Sequence, residues 1–204
     1  MSFVPPPYPY DRLEPARAKA EALEGGMVDV SIGTPMDPPP LGVLDVLGEG
    51  EKGREVRSYP PSAGTPVLRR AAAEWMARRF AVDVPTEAVA ACVGTKELVA
   101  SVPQWLKLRT PGRDVVLYPS VAYPTYEMGA LLAGLRPVPV ALDAEWRIDL
   151  ASIDPADAER ALLLWVNSPG NPAGALDDLG EAAVWGARFG VPVFSDECYS
   201  ELTW

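Results

Sequence analysis

The sequence predicts an α/β fold, a three-layer αβα sandwich around a mostly parallel sheet. Three observations lead there. RALLLWV (160–166) is an almost unbroken apolar run, as expected of a strand covered on both faces. DDLGEAAVWGARFG and VPVF follow it, so residues 160–194 read strand, helix, strand, which requires a crossover and a parallel pair. Upstream, short strand patterns alternate with helical ones from residue 88 onward, which places helices on both sheet faces.

Taken in order, residues 1–10 (MSFVPPPYPY) are proline-rich and read as an extended arm. YDRLEPARAKAEALEGG (10–26) reads as a helix closed by Gly25 and Gly26. MVDVSIG (27–33) alternates like a short strand, and TPMDPPP (34–40) is a rigid polar linker. A helix is expected from Val67 to Phe80, with Leu68, Ala72, Trp75 and Met76 near helical spacing. AVAACV (88–93) reads as a strand. KELVASVPQWLKL (96–108) reads as a helix with Leu98, Val102, Trp105 and Leu106 on one face, kinked or divided by Pro103. DVVLY (114–118) is a strand, TYEMGALLAG (125–134) a helix and RPVPVAL (136–142) a strand. DDLGEAAVWGARFG (177–190) is a helix with an Asp cap and Gly190 past its end. VPVF (191–194) reads as another buried strand.

Composition narrows the chemistry. With 48% apolar and 23% charged residues, the 204-residue chain is of ordinary globular type. A formal charge of −10 argues against a nucleic-acid partner, because phosphate backbones need a basic surface. There is no histidine, which removes Ser-His-Asp and Cys-His nucleophile systems and His-ligated zinc. Acid–base work must fall to carboxylates, Lys, Tyr or a cofactor. No apolar run approaches the roughly 20 residues that cross a bilayer. The N-terminus lacks the basic and apolar regions of a signal peptide. Cys92 and Cys198 are too few for a disulfide framework and are expected to be buried free thiols. A cytoplasmic protein is expected.

In open α/β sheets, ligands bind beyond the carboxyl ends of the strands. Those ends carry GTKE, PSVAYPTY, NSPGNPAG and SDECYS. Gly94, Thr95 and Lys96 lie between a strand and a helix start, where free backbone N–H groups suit a phosphate; by themselves they read more simply as a plain helix cap. NSPGNPAG can aim the Asn171 amide inward, or serve as a turn. Asp196 follows four apolar residues, so its carboxylate needs a partner: a helix N-terminus, an arginine or a ligand cation. Tyr199 shares its side if the segment turns helically. Tyr123 offers a flat ring for stacking, or sits half-buried in a loop. Gly48-Glu49-Gly50-Glu51-Lys52-Gly53 matches G-x-G-x-x-G, but it follows no convincing strand and its glutamates would repel a pyrophosphate. A flexible turn is expected there.

The order GTKE, AYPTY, NSPGNPAG, SDECYSEL, with SYPPSAGTPVLRRAAAEW at 58–75, resembles the class I/II aminotransferases of fold type I, and among them actinobacterial N-succinyldiaminopimelate aminotransferases. The resemblance runs from about Ser31 to the last residue. It implies the large domain of a pyridoxal 5′-phosphate enzyme, with residues 1–40 as arm and part of a small domain and 41–204 as an incomplete cofactor-binding domain. It implies transfer of an amino group between an amino acid and a 2-oxo acid, with N-succinyl-diaminopimelate and glutamate of lysine biosynthesis as the pair. Other chemistries of the fold, C–S lysis or decarboxylation, and a non-catalytic remnant are the alternatives. Asp196 would pair with the pyridine nitrogen, Asn171 and Tyr199 with the ring's phenolic oxygen, and Tyr123 with the ring face. Thr95 and the amides near Gly94 and Lys96 would hold the phosphate. Tyr59 would reach the phosphate in a partner subunit, implying a homodimer, and Gly33 would lie near the substrate carboxylate. The family's cofactor-linking lysine falls beyond Trp204. The lysines here are Lys19, Lys52, Lys96 and Lys107, none at the matching place. The chain is thus expected to be an N-terminal portion of such an enzyme, and inactive by itself.

Overall fold

Ala161–Asn167 (β3) is the spine of the sheet, and all seven of its residues are buried. The computed structural model describes residues 7–33, 37–50 and 59–203. Residues 1–6 of the arm, 34–36 of the linker, 51–53 of the glycine pattern, Ser58 and Trp204 lie outside the described residues. Val115–Pro119 (β1), Arg136–Val140 (β2) and Val193–Asp196 (β4) complete a four-stranded sheet in the order β2-β1-β3-β4. Every pairing is parallel, with Leu117 beside Val138 and Leu164, and Asn167 beside Asp196. The expected α/β class is therefore the observed one.

Side-chain alternation distributes the strands over two cores. On one face Val116, Leu163 and Trp165 pack with Val99, Val102, Tyr126 and Ala130. The last four lie on Thr95–Arg109 (α4) and Thr125–Leu132 (α5). On the other face Val115, Leu117, Leu164 and Val166 pack with Ala182 of Leu179–Phe189 (α7). Asp178 caps α7 by accepting from the Glu181 N–H, and Gly190 ends it in the left-handed region, as the sequence implies. A shorter helix, Pro155–Arg160 (α6), leads directly into β3.

The two sheet edges differ. Arg136 N–H donates to Asp114 O, and Ser120 N–H to Val140 O, so residues 136, 138 and 140 of β2 turn their backbone toward β1. Pro137 and Pro139 face outward and offer no N–H, which blunts that edge. VPVF was expected to be a buried strand, but β4 is the opposite edge strand and begins at Val193: Val191 is buried, Pro192 exposed, and Val193 and Phe194 half-buried.

Pro103 does not divide α4, which continues through it. Proline cannot donate to the Val99 carbonyl, and Gly129 of α5 approaches that turn: a Cβ there would lie 3.0 Å from Val99 O and 3.1 Å from Ala100 Cα. Trp105 is exposed, so the buried stripe of α4 runs through Val99, Val102 and Pro103 instead.

The chain divides into two compact units, Met1–Leu13 with Val93–Trp204, which contains the sheet, and Glu14–Cys92. The second unit contains Glu14–Glu21 (α1), Leu41–Gly50 (α2) and Pro66–Phe80 (α3). Thr65 caps α3 by accepting from Leu68 N–H, and Arg69 of α3 donates to Val89 O and Thr86 O, each at 2.7 Å. α2 was not anticipated. Its end carries Gly48 to Gly50, where a turn was expected. Residues 27–33 are not a strand, and Val28, Val30 and Ile32 are exposed. Residues 88–93 are not a strand either: a 3₁₀ turn at Thr86–Ala88 gives way to irregular chain. A strand needs a run of backbone bonds to a neighbour; residues 88–93 make one such bond, Ala91 N–H to Ala63 O at 3.0 Å, and no ladder follows from it. Among the described residues no helix is long and apolar enough to cross a membrane.

Candidate functional site

The carboxyl ends of β1, β3 and β4 and the start of α4 enclose a cavity of ≈ 170 Å³. Its wall includes Thr95, Lys96 and Val99 from α4, Tyr123 and Tyr126 after β1, Asn167 and Asn171 after β3, and Asp196, Cys198 and Tyr199 after β4. Thr95, Lys96, Tyr123, Asn171, Asp196 and Tyr199, singled out from the sequence, are thus brought together. Gly94 adjoins them as the residue before α4, with φ 93°, a conformation that favours glycine. Gly33 and Tyr59 belong to the other unit, are exposed, and do not line the cavity.

Asp196 ends β4 and is 8% exposed. Its Oδ2 accepts from the Tyr126 hydroxyl at 2.9 Å, and its Oδ1 from the Cys198 N–H at 3.3 Å. Burial, and then the Asp196 charge, push the Tyr126 hydroxyl far above the usual phenol range, so it stays a donor. Asn167 ties the next layer: its amide donates to Asp196 O at 2.9 Å while its Oδ1 accepts from Asn171 N–H at 2.7 Å. The Asn171 amide in turn donates to Tyr199 Oη at 3.2 Å. Burial raises the Tyr199 hydroxyl as well.

The opposite wall is aromatic and cationic. Lys96 Nζ lies 6.0 Å from the Tyr123 ring centroid and 5.1 Å from that of Tyr8. Burial alone would raise the Tyr123 phenol, but contacts with the Tyr8 and Thr125 hydroxyls and the Lys96 charge lower it.

Tyr126, Asn167 and Tyr8 were not singled out from the sequence. Asn167 carried a usable signal, as the first polar residue after the buried run. Tyr126 carried a weaker one, three residues from Tyr123 at the start of a helix. Neither cysteine is buried: both are exposed, because Cys92 belongs to no sheet and Cys198 follows the strand end in the cavity wall.

The sequence profile of the class I and II aminotransferases matches residues 26–204. The chain belongs to this family. A Streptomyces rimosus 4-dedimethylamino-4-oxo-anhydrotetracycline transaminase is 38% identical over 202 residues, 98% of this chain and 52% of its own length. An LL-diaminopimelate aminotransferase of Desulforudis audaxviator is 37% identical over 215 residues, 99% of this chain and 54% of its own. Among solved structures, a probable N-succinyldiaminopimelate aminotransferase of Thermus thermophilus superposes with TM-score 0.78 at 30% identity, covering 91% of this chain and 51% of that one. The chain therefore spans about half the length of the relatives it matches.

Proposed function

We propose that the cavity holds pyridoxal 5′-phosphate and that the complete polypeptide moves an amino group between an amino acid and a 2-oxo acid. The observation that carries this reading is the Asp196 carboxylate, buried in the cavity wall with a phenol and an amide as its donors. The donor set fits that group: an acid for a pyridine nitrogen, an amide–phenol pair for a phenolic oxygen, an aromatic ring, and a cationic helix N-terminus for a phosphate. Bound there, the cofactor supplies an electron sink for charge developing at the substrate's α-carbon. Asp196 holds a proton on the ring nitrogen. Tyr126 fixes the orientation of that carboxylate through the 2.9 Å bond. Asn171 and Tyr199, already bonded to each other, present the phenolic-oxygen partners. Tyr123 flanks the ring. Gly94, Thr95 and the first amides of α4 receive the phosphate, with Lys96 as the nearby cation.

The finer reading takes N-succinyl-diaminopimelate, with glutamate as the amino-group partner, in cytoplasmic lysine biosynthesis. The name of the Thermus relative matches the N-succinyl substrate and that of the Desulforudis relative its unsuccinylated skeleton, while that of the Streptomyces relative gives a different carbon skeleton. In the same reading the enzyme is a homodimer, Tyr59 serves the partner's phosphate, Gly33 adjoins the substrate carboxylate, and residues 1–40 and 41–204 are its small- and large-domain portions. Product analysis of the complete polypeptide tests this: 2-oxoglutarate formed in step with loss of glutamate supports transamination, whereas pyruvate with sulfide, or carbon dioxide, points to lysis or decarboxylation.

A second reading concerns these 204 residues alone. Among the described residues Lys96 is the lysine that lines the cavity, and its Nζ lies against two aryl rings. The chain by itself then binds the cofactor without turnover. Borohydride reduction with added pyridoxal 5′-phosphate should give scattered surface labelling and no glutamate conversion. Stoichiometric labelling of one lysine together with transamination would overturn it.

A further inference from the structure

Tyr8 does not itself line the cavity, but it touches Lys96, which does. It precedes a 3₁₀ turn at Pro9–Leu13, where its N–H donates to Asp11 Oδ2 at 3.2 Å. The arm residues up to Leu13 fall in the same compact unit as the sheet. The Tyr8 ring sits edge-on to Tyr10 at 5.5 Å, and Lys96 Nζ lies over it at 5.1 Å. Its hydroxyl is buried, as is that of Thr125, and neither is in hydrogen-bond geometry. Tyr8 and Tyr123 therefore present two aryl rings to one ammonium in the cavity wall. An aryl face attracts a cation through its quadrupole, and two faces restrict a side chain with four rotatable bonds.

We infer that Tyr8 is a positioning residue of the cleft: its ring, together with that of Tyr123, holds the Lys96 ammonium at the wall, so the start of the arm is part of the site. Lys96 acts there as a fixed cation rather than as a free nucleophile. The nearby phenols agree with this, since Tyr123 first and Tyr8 second push the Lys96 ammonium up and keep it protonated. The inference is independent of which cofactor binds, because it is read on the ligand-free chain.

The test is amine labelling by an N-hydroxysuccinimide ester, quantified per lysine by mass spectrometry with Lys107 as internal reference. Tyr8→Leu removes the aryl face and keeps an apolar side chain. Labelling of Lys96 relative to Lys107 should rise about two- to fivefold, the range set by a cation–π contact. Tyr8→Phe keeps the face and should stay within twofold of the parent chain. A general loosening of the arm would affect both variants alike. The reciprocal variant Lys96→Met should speed tryptic cleavage after Arg12 by at least twofold, because the arm loses its cationic anchor. A Tyr8→Leu chain that labels like the parent, a Tyr8→Phe chain that labels like Tyr8→Leu, or unchanged cleavage in Lys96→Met overturns the inference. The cofactor reading survives any of these results.

Discussion

Replacing Tyr126 by Phe removes one oxygen and little else. The residue is fully buried, its hydroxyl donates to Asp196 Oδ2 at 2.9 Å, and its ring packs against Trp165 at 5.5 Å. Phe keeps the packing, so the change isolates the bond. A hydrogen bond to a charged group contributes about 1.5–3 kcal/mol. Asp196 keeps only the longer 3.3 Å bond from Cys198 N–H at its carboxylate, so little compensation is at hand. For a chain of this length that loss lowers Tm by about 3–12 °C. The pH dependence follows from the raised Tyr126 pKa. The folded chain keeps the phenol proton above pH 10, whereas the unfolded chain releases it there. The stabilisation is fully present below about pH 10 and is lost as pH rises, with a slope of up to ~1.4 kcal/mol per pH unit. Tyr126→Phe lacks that slope, so parent and variant should converge in alkali. Urea unfolding at pH 7 and between pH 10 and 11.5 measures both effects. A variant within 0.5 kcal/mol of the parent at pH 7 (roughly the scatter of a neutral substitution), with the same alkaline slope, would refute the reasoning.

Two further outcomes are expected. Gly186→Ala would place its Cβ 2.6 Å from Val193 Cγ2 and 2.7 Å from Val191 O, so it should destabilise by about 1–3 kcal/mol in urea unfolding; a neutral effect would mean that α7 and β4 are not so closely packed. Although the Cys198 residue is exposed, partial desolvation of its thiol in the cavity wall first, and then the Asp196 charge, push that thiol up to about 11, so iodoacetamide at pH 8 should alkylate Cys92 faster than Cys198, and Asp196→Asn should accelerate Cys198; equal rates in parent and variant would contradict the coupling.

What could be read from the sequence depended on whether a feature is local or shared. β3 was legible because six consecutive apolar residues, Ala161 to Val166, leave no polar face to interpret. Asp196 was legible because an acid directly after an apolar strand needs an explanation, and the strand-end rule supplied one. Residues 27–33 and 88–93 misled because alternation in the one and an apolar run in the other describe a single segment, whereas a strand is a property of a pair. VPVF misled for a related reason: its apolar residues are the same in an edge strand as in a central one, and only the neighbours decide. The Tyr126–Asp196 bond joins residues 70 apart in sequence and was hidden by a helical pattern that explained Tyr126 as packing. Tyr8 was hidden inside a proline-rich stretch that composition assigns to an arm, although its contacts are with Lys96 and Tyr10.

The central claim is that Asp196 holds a proton on the ring nitrogen of a bound pyridoxal 5′-phosphate. Ring-¹⁵N-labelled pyridoxal 5′-phosphate, added to the chain and to its Asp196→Asn variant, tests this by nitrogen chemical shift. The parent chain should show a saturable bound signal at the protonated-pyridine position near neutral pH. The variant should bind more weakly, with its bound signal at the unprotonated position. The same bound shift in both chains, or no saturable signal in the parent, would contradict the account.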